Sequence, residues 1–259
     1  MHDLSQYSAF AAHLADLARP IAKRYFRSDL KVMTKPDATP VTLADMEIET
    51  CIRNEIARVY PTHGVLGEEH DDTNLDAEWV WVIDPIDGTK AFTCGKPQFG
   101  TLVALTHQGE PVIGVIDQAI TDERWMGVKG AGATFNGRKA RVSATRKPLS
   151  ETIILTTTPD LFDRPEDTLI FGRLKAACKG VYYGGDCYNY ALIASGHVNL
   201  VVEMGLKTVD FAALVNPIVE AGGVACDWAG RSLNLNSDGT MVAASNQALA
   251  DEVLRVIAP

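Results

Sequence analysis

The sequence has few cysteines and histidines, and neither type is spaced for a metal or a disulfide. The five cysteines are scattered over 259 residues without a C-x-x-C pair, so we predict neither a disulfide framework nor a cysteine zinc site. The six histidines lack an H-E-x-x-H spacing, which argues against a histidine zinc site. We therefore expect a reducing compartment, the cytoplasm.

Positive charge and long apolar runs are also scarce. Lysine and arginine number 24 against 33 aspartates and glutamates, which gives a formal net charge of −9. Nucleic-acid backbones are bound by clustered lysine and arginine, so we expect no nucleic-acid partner. No apolar run is long enough to span a bilayer, and the first residues do not resemble a signal peptide. We expect a soluble chain without a membrane partner.

What the sequence does have is a clear order of secondary-structure patterns. Helical spacing predicts a helix over residues 4–25 and a second one that Thr42 caps and Pro61 ends. Short apolar runs predict strands at 79–83, 101–105, 112–116 and 124–128, followed by a hairpin turn at Asn136-Gly137. In the second half, predicted strands at 153–157 and 199–203 alternate with helices at 164–177, 188–194, 211–221 and 248–256. This order predicts an α/β (α+β) fold in layers, one domain with two packed subdomains at about 1–145 and 146–259.

The most informative segment is W-V-I-D-P-I-D-G-T-K at residues 81–90. A buried strand ends at Asp84, and Asp87 follows on the same short loop. Two ionised carboxylates so close together repel each other unless cations such as Mg²⁺ lie between them. Gly88 permits a turn that would expose the amides of Gly88 and Thr89 at the start of a short helix, a favourable place for phosphate oxygens. The alternative is a surface turn with an Asx-type bond.

Two further acids stand at the ends of predicted elements. Glu68 follows a short apolar strand at residues 64–67 and is a second supplier of metal ligands. Asp210 lies at the start of an apolar helix, where an aspartate usually acts as an N-cap. Alone, neither position specifies a function.

Together these blocks resemble the inositol monophosphatase superfamily. The shared features are the Gly-Glu-Glu strand end at 67–69, D-P-I-D-G-T at 84–89, and a late aspartate before a small-residue helix that closes on E-A-G-G at 220–223. Their order and spacing match over nearly the whole chain. The resemblance implies a layered α-β-α-β-α sugar-phosphatase fold, two or three Mg²⁺ ions and a homodimer. The metal ligands that it implies are Glu68, Asp84, the main-chain carbonyl of Ile86, Asp87 and Asp210.

The activity that the resemblance implies is hydrolysis of a phosphate monoester. Divalent ions at such a site make a water molecule acidic, hold the phosphoryl oxygens and stabilise the leaving alkoxide, so no covalent phosphoenzyme is needed. Asp45 and Thr89 match the family's pair that helps deprotonate the attacking water. Lys35 and its loop match a segment that contributes a metal-water contact. The catalytic set is therefore Glu68, Asp45, Thr89, Asp84 and Asp87.

Substrate choice is expected in the second half of the chain. Residues 183–190 and 200–205 align with the family's substrate-contacting segments. The substrate-binding residues that this implies are Gly88, Thr89, Gly185, Asp186, Glu203 and Asp210. Inositol phosphatases tend to carry a small residue at the position of Asp186, and a carboxylate there beside Glu203 would suit a cationic leaving group. The alternative role of Asp186 is an N-cap for the helix at 188–194.

Several activities remain open on these residues. Residues 99–105, 114–118, 123–125 and 185–188 resemble the histidinol-phosphatase branch, although Val209 stands where that branch commonly has an aromatic residue. L-histidinol phosphate, an intermediate of histidine biosynthesis, is the substrate that we predict, and inositol-1-phosphate is the alternative. A nucleotide phosphatase activity on a 3′-phosphorylated adenosine compound is disfavoured by the lack of a basic cluster for a second phosphate. A regulatory partner of the transcription machinery that keeps the fold is the alternative of another class.

Overall fold

The computed structural model describes residues 3–28, 32–34 and 40–258, which form seven α-helices and fourteen strands. The helices are α1 Ser5–Tyr25, α2 Leu43–Val59, α3 Thr89–Thr93, α4 Pro165–Ala177, α5 Asp186–Ala194, α6 Thr208–Glu220 and α7 Gln247–Ile257. The first strands are β1 Val32–Thr34, β2 Pro40–Thr42, β3 Gly64–Gly67, β4 Trp79–Asp87, β5 Gly100–His107, β6 Glu110–Gln118, β7 Glu123–Val128, β8 Gly132–Phe135 and β9 Arg138–Lys139. The later strands are β10 Ile153–Thr156, β11 Gly180–Tyr183, β12 Leu200–Glu203, β13 Val224–Cys226 and β14 Met241–Ala244.

The strands form two main sheets and a two-stranded ribbon of β1 and β2. The large sheet has the order β3-β4-β5-β6-β7-β8-β9, and within it only β3 and β4 run parallel. The small sheet has the order β11-β10-β12-β14-β13. Each sheet buries apolar side chains on both faces, so helices must cover every face.

The helices lie in three layers around the two sheets. One apolar core joins α1 and α2 to the face of the large sheet that points away from the small sheet, through residues such as Phe10, Ile48 and Trp81. A second core places α5 and α6 between the two sheets and includes the buried rings of Tyr190 and Phe211. The third core packs α4 and α7 on the outer face of the small sheet. The predicted α-β-α-β-α layering is therefore confirmed.

Helix α6 is seated close to the main chain of the large sheet. A Cβ atom added at Gly127 would lie 2.1 Å from the carbonyl carbon of Asn216, and one added at Gly114 would lie 2.2 Å from the carbonyl oxygen of Ala213. Any side chain at these two glycines would therefore push the helix away. This close approach places the start of α6, with Asp210, against the sheet that carries β3 and β4.

Most predicted elements are found with small changes in their ends. Thr42 accepts a hydrogen bond from the amide of Ala44 and caps α2, and Asn136 and Gly137, with φ of 47° and 74°, connect β8 to β9. The main sheets consist of residues 64–139 and 153–244, while the subdomain boundary near residue 145 stays a prediction. Among the helices of the described residues, none is long and apolar enough to cross a membrane.

Candidate active site

A cavity of about 260 Å³ opens between the ends of β3 and β4 and the first turns of α5 and α6. Most of the predicted site residues line it: Glu68, Asp84, Ile86, Asp87, Gly88, Thr89, Asp186, Glu203 and Asp210. Asp45 and Gly185 do not line the cavity. The fold thus brings together acids that lie more than a hundred residues apart in the sequence.

Three of these acids form a compact group. One carboxylate oxygen from each of Asp84, Asp87 and Asp210 can be chosen so that the three atoms lie within 4.8 Å of one another. Asp84 and Asp87 come from the end of β4, where its register with β5 shifts between the two aspartates. Asp210 comes from the first turn of α6. Three negative charges at such distances require a compensating cation when they are ionised.

The environment of Asp84 fits a hard divalent cation. Burial raises the pKa of Asp84 well above its usual range, and the carboxylates of Glu68 and Asp87 raise it further. Within the described part of the chain, its Oδ1 is buried without a hydrogen-bond partner, as is Oδ1 of Asp45. Unpartnered buried carboxylate oxygens are rare and costly. Oxygen donors of this kind are the ligands of Mg²⁺, Ca²⁺ and Mn²⁺.

Asp87 is fixed by a contact with the second half of the chain. Its Oδ2 accepts a hydrogen bond of 2.6 Å from the main-chain amide of Cys187. Burial raises the pKa of Asp87 well above its usual range, and the charges of Asp186 and Asp210 add to this effect. The alternative of an exposed Asx-type turn is excluded, because Asp84 is 1% exposed and Asp87 is bonded across 100 residues.

Asp210 belongs to the acidic group and also accepts a hydrogen bond that stabilises the start of α6. The N-cap of α6 is Lys207, and Oδ2 of Asp210 accepts the amide hydrogen of Lys207 at 2.7 Å. Asp210 therefore supports the helix start without being its N-cap. Burial raises the pKa of Asp210 to about 6, and the bond from Lys207 opposes this rise. The Nζ atom of Lys207 lies 3.4 Å from Oε1 of Glu68.

Asp186 reaches the cavity from the start of α5. Gly185 is the N-cap, with φ of 114°, and Asp186 is the first helical residue, so the alternative of Asp186 as the N-cap is wrong. Asp186 has φ of 43°, which is uncommon for a residue other than glycine, although aspartate and asparagine tolerate it. A Cβ atom at Gly88 would lie 3.2 Å from Cγ of Asp186. Burial raises the pKa of Asp186 to about 6, against the effect of Lys90.

Glu203 is held on both carboxylate oxygens. It is 2% exposed. Its Oε1 accepts a hydrogen bond from the amide of Thr157 at 2.5 Å, and its Oε2 accepts one from the hydroxyl of Tyr190 at 2.9 Å. Burial raises the pKa of Glu203 to about 7, and these two bonds oppose the rise. The side chain is therefore oriented rigidly at the cavity wall.

Asp45 and Thr89 make local hydrogen bonds. Oδ2 of Asp45 accepts from the amide and the hydroxyl of Thr42, at 2.8 and 2.5 Å, and the hydroxyl of Thr89 donates to the carbonyl of Ile86 at 3.0 Å. Burial raises the pKa of Asp45 to about 6, and the charge of Glu68 contributes to this rise. The shared role of Asp45 and Thr89 stays a prediction, and Lys35 lies outside the described residues.

The chain matches a known protein family over almost its whole length. Residues 3–258 match the model of the inositol monophosphatase family. The chain belongs to this family. Members of the family are metal-dependent phosphatases, and the chain is accordingly a phosphoric monoester hydrolase.

Relatives within the inositol monophosphatase family carry different substrate names. The chain is 41% identical over 250 residues to "Bifunctional phosphatase IMPL2, chloroplastic" of Arabidopsis thaliana, an alignment that spans 96% of the chain and 72% of that protein. It is 35% identical to a histidinol-phosphatase of Chlorobaculum parvum, with 91% of each protein aligned. Among solved structures it resembles an inositol monophosphatase from Zymomonas mobilis, with a TM-score of 0.89, 40% identity and 99% of each chain covered.

The cavity of this family member also contains residues for which the sequence predicted no role. Lys90 and Lys207 bring positive charge to it, and Thr157 and Tyr190 line it beside Glu203. Tyr190 stands within the segment at 183–190 that the family resemblance marks, and Lys90 directly follows the D-P-I-D-G-T motif. Thr157 follows the end of β10 and carries no sequence signal of its own.

Proposed function

We propose that the chain hydrolyses L-histidinol phosphate to L-histidinol and phosphate, with Mg²⁺, as a step of histidine biosynthesis. The observation that carries this proposal is the charge of the cavity. Six carboxylates line it against two lysines, Lys90 and Lys207. Divalent ions would compensate the compact group of Asp84, Asp87 and Asp210, to which Asp186 and Glu203 do not belong. A leaving group with an ammonium and an imidazole would supply the missing positive charge.

The metal site of this proposal consists of Glu68, Asp84, the carbonyl of Ile86, Asp87 and Asp210. Bound there, two or three Mg²⁺ ions would supply an activated water and charge compensation for the phosphoryl group. Asp45, with a pKa raised to about 6 and an unpartnered Oδ1 among the described residues, is suited to accept the proton of the attacking water, together with Thr89. Gly88 and Thr89 would contact the phosphate.

Selection of the leaving group is assigned to the first turn of α5 and the end of β12. Glu203 is oriented by Thr157 and Tyr190, so its carboxylate presents a fixed negative edge. Asp186 lies against Gly88, close to where a phosphate would bind. An ammonium between the two would form charge-assisted hydrogen bonds, each worth roughly 1.5–3 kcal/mol. Names of relatives, among them a histidinol-phosphatase at 35% identity, agree with this assignment.

The alternative substrate is inositol-1-phosphate. It is favoured by the likeness to the solved inositol monophosphatase, at 40% identity. The hydroxyls of inositol can donate hydrogen bonds to a carboxylate at position 186, but neutral inositol would not compensate its negative charge. A homodimer, a cytoplasmic location and the absence of nucleic-acid and membrane partners are further parts of the proposal, supported by family membership and by the net charge of −9.

The test compares kcat/KM for L-histidinol phosphate, inositol-1-phosphate and a 3′-phosphorylated adenosine compound, with Mg²⁺ and with EDTA as a control. We expect L-histidinol phosphate to give the highest value. The variant Asp186→Asn should lower it by about tenfold or more, because a charge-assisted bond is lost, and should leave the value for inositol-1-phosphate nearly unchanged. Asparagine tolerates the positive φ at this position.

The matched control is Asp122→Asn. Asp122 also has a positive φ, of 56°, but its side chain is 62% exposed and does not line the active-site cavity. It should behave like the wild type. Equal turnover of all three substrates by both the wild type and Asp186→Asn would refute the cationic pocket. No hydrolysis of any ester in the presence of Mg²⁺ would favour the regulatory role instead.

A further inference from the structure

Glu49 is a completely buried carboxylate outside the cavity that binds the segment carrying Glu68. It lies on α2, and its side chain is 0% exposed. Its Oε2 accepts the amide hydrogens of Glu68 and Glu69 at 3.0 and 2.8 Å, and its Oε1 accepts that of His70 at 3.2 Å. One side chain therefore binds three successive main-chain amides just after the end of β3.

Arg53 completes this arrangement one helical turn further along α2. Its Nε donates to Oε1 of Glu49 at 2.7 Å, and its Nη2 donates to the carbonyl of His70 at 3.2 Å. A buried carboxylate is costly unless it is paired and hydrogen-bonded, and here both conditions are met. The pair thus binds both the amides and a carbonyl of the turn at 68–70.

The last residue of β3 leaves space for the Glu49 carboxylate. A Cβ atom added at Gly67 would lie 2.0 Å from Oε1 of Glu49 and 2.6 Å from Nη2 of Arg53. A side chain at position 67 would therefore displace the ends of Glu49 and Arg53, so the glycine permits the contact. The turn and the helix are therefore built to fit each other at this point.

We infer that Glu49 is a positioning residue, which fixes the main chain of Glu68 and so sets the affinity of the cation site. This inference rests on the proposed function, in which Glu68 is a metal ligand. Glu49 itself does not line the cavity, and its two oxygens are occupied by the turn and by Arg53. Its effect therefore passes through the orientation of Glu68, in the way that an outer group orients a metal ligand.

The variant Glu49→Gln isolates this effect, because it keeps the volume of the side chain. One end of the glutamine amide is an NH₂ group, which cannot accept a hydrogen bond. Whichever way the amide is turned, some main-chain amides of the turn would face a donor. The turn should therefore be bound less tightly to α2, while the acids of β4 and α6 stay in place.

The test is isothermal titration calorimetry of the metal-free full chain with Mg²⁺ alone, followed by steady-state kinetics over a range of Mg²⁺. We expect Glu49→Gln to raise the Kd for Mg²⁺ by about 10- to 100-fold. At saturating Mg²⁺, kcat should return to within about threefold of the wild-type value, since no group that touches the substrate has changed. A loss of kcat that Mg²⁺ does not restore would overturn the positioning role.

Glu220→Gln is the matched control. The carboxylate of Glu220, on α6, accepts the amide hydrogens of Gly130 and Gly132 at 2.8 and 2.9 Å, so the same kind of helix-to-turn contact is removed away from the cavity. Its Kd for Mg²⁺ should match the wild type. An equal weakening in both variants, or no weakening in Glu49→Gln, would contradict the inference.

A second route covers the case in which Glu49→Gln does not fold. Gly67→Ala places a methyl group against the Glu49 carboxylate and should weaken Mg²⁺ binding in the same direction. A normal Mg²⁺ affinity in folded Gly67→Ala would count against the inference. If the wild type itself neither binds Mg²⁺ nor hydrolyses a phosphate monoester, the proposed function fails; if it does both and the variants match it, only the role of Glu49 fails.

Discussion

The main-chain amide of Cys187 donates a 2.6 Å hydrogen bond to Oδ2 of Asp87, a residue 100 positions earlier in the chain. The bond joins the first turn of α5 to the end of β4. The site therefore forms only when the layer of helices between the two sheets packs against the large sheet. Asp87, at one end of this bond, is a proposed metal ligand. Cys187, at the other end, directly follows Asp186, which we propose selects the leaving group.

The variant Asp87→Asn should fold and lose nearly all turnover. The asparagine oxygen can still accept the amide hydrogen of Cys187, and one of several mutually repelling carboxylate charges is removed. We therefore expect the Tm of the metal-free protein to stay level or rise. With Mg²⁺, kcat should fall by more than about 100-fold, which exceeds the usual effect of a group that only supports a ligand. Full activity in the folded variant would show that the metal assignment is wrong.

Metal-free protein should be less stable at about pH 8 than at about pH 5. Burial raises the pKa of Asp45, Asp186 and Asp210 from 3.8 to about 6, and that of Glu203 from 4.5 to about 7. A raised pKa means that the folded state binds the proton more tightly, so this stabilisation is complete below the unfolded pKa and is lost as the pH rises through the folded pKa. Thermal unfolding in EDTA measures the trend.

Added Mg²⁺ should oppose this trend, because cations compensate the ionised carboxylates. The rise in Tm on adding Mg²⁺ should therefore be larger at the higher pH. A Tm in EDTA that does not fall between the two pH values would contradict the convergence of buried acids.

The hydroxyl of Tyr190 should matter more for stability than that of Tyr188. Tyr190→Phe leaves Oε2 of the buried Glu203 without its donor, at a cost of about 1–3 kcal/mol in the free energy of unfolding. Tyr188→Phe removes a bond to Glu123, at 2.7 Å, in a partly exposed place, and should cost less than about 1 kcal/mol. Urea unfolding at a pH above 7 compares the two variants, and equal losses would argue against a buried, ionised Glu203.

Asp117 is a buried carboxylate that pairs with arginines and does not line the active-site cavity. Asp117 is 1% exposed and accepts hydrogen bonds from Arg19 of α1, at 2.8 and 3.0 Å, and from Arg124 of β7, at 2.5 Å. Asp117→Ala should cost about 3 kcal/mol, because two partly buried arginines lose their buried partner and keep only the exposed carboxylates of Asp122 and Asp16. Lys129→Gln, which breaks an exposed pair with Glu110, should cost at most about 1 kcal/mol. Similar losses in both would contradict this account.

The features predicted well from the sequence were those with a local cause. The apolar run before Asp84 predicted β4, the Thr42 hydroxyl predicted the start of α2, and Asn136-Gly137 predicted the turn between β8 and β9; the structure has all three. The strand at 79–83 proved longer, since β4 continues to Asp87 through a register shift that tolerates Pro85.

Features that depend on distant partners could not be predicted in this way. Strand β14, M-V-A-A, is fully buried and so has no alternation of apolar and polar residues, and alanine favours no strand. The N-cap alternative for Asp186 failed because Gly185, with its left-handed backbone, ends the preceding segment one residue earlier. Glu49 reads as an ordinary helical glutamate, since its three amide partners lie about twenty residues away.

The most direct test of the account is the anomalous diffraction of a crystal soaked in Mn²⁺, a substitute for Mg²⁺ with the same preference for oxygen ligands. We predict a strong anomalous peak between the carboxylates of Asp84, Asp87 and Asp210, with the ion within bonding distance of an oxygen from at least two of them. A well-ordered site without a peak, or with these carboxylates turned away from one another, would contradict it.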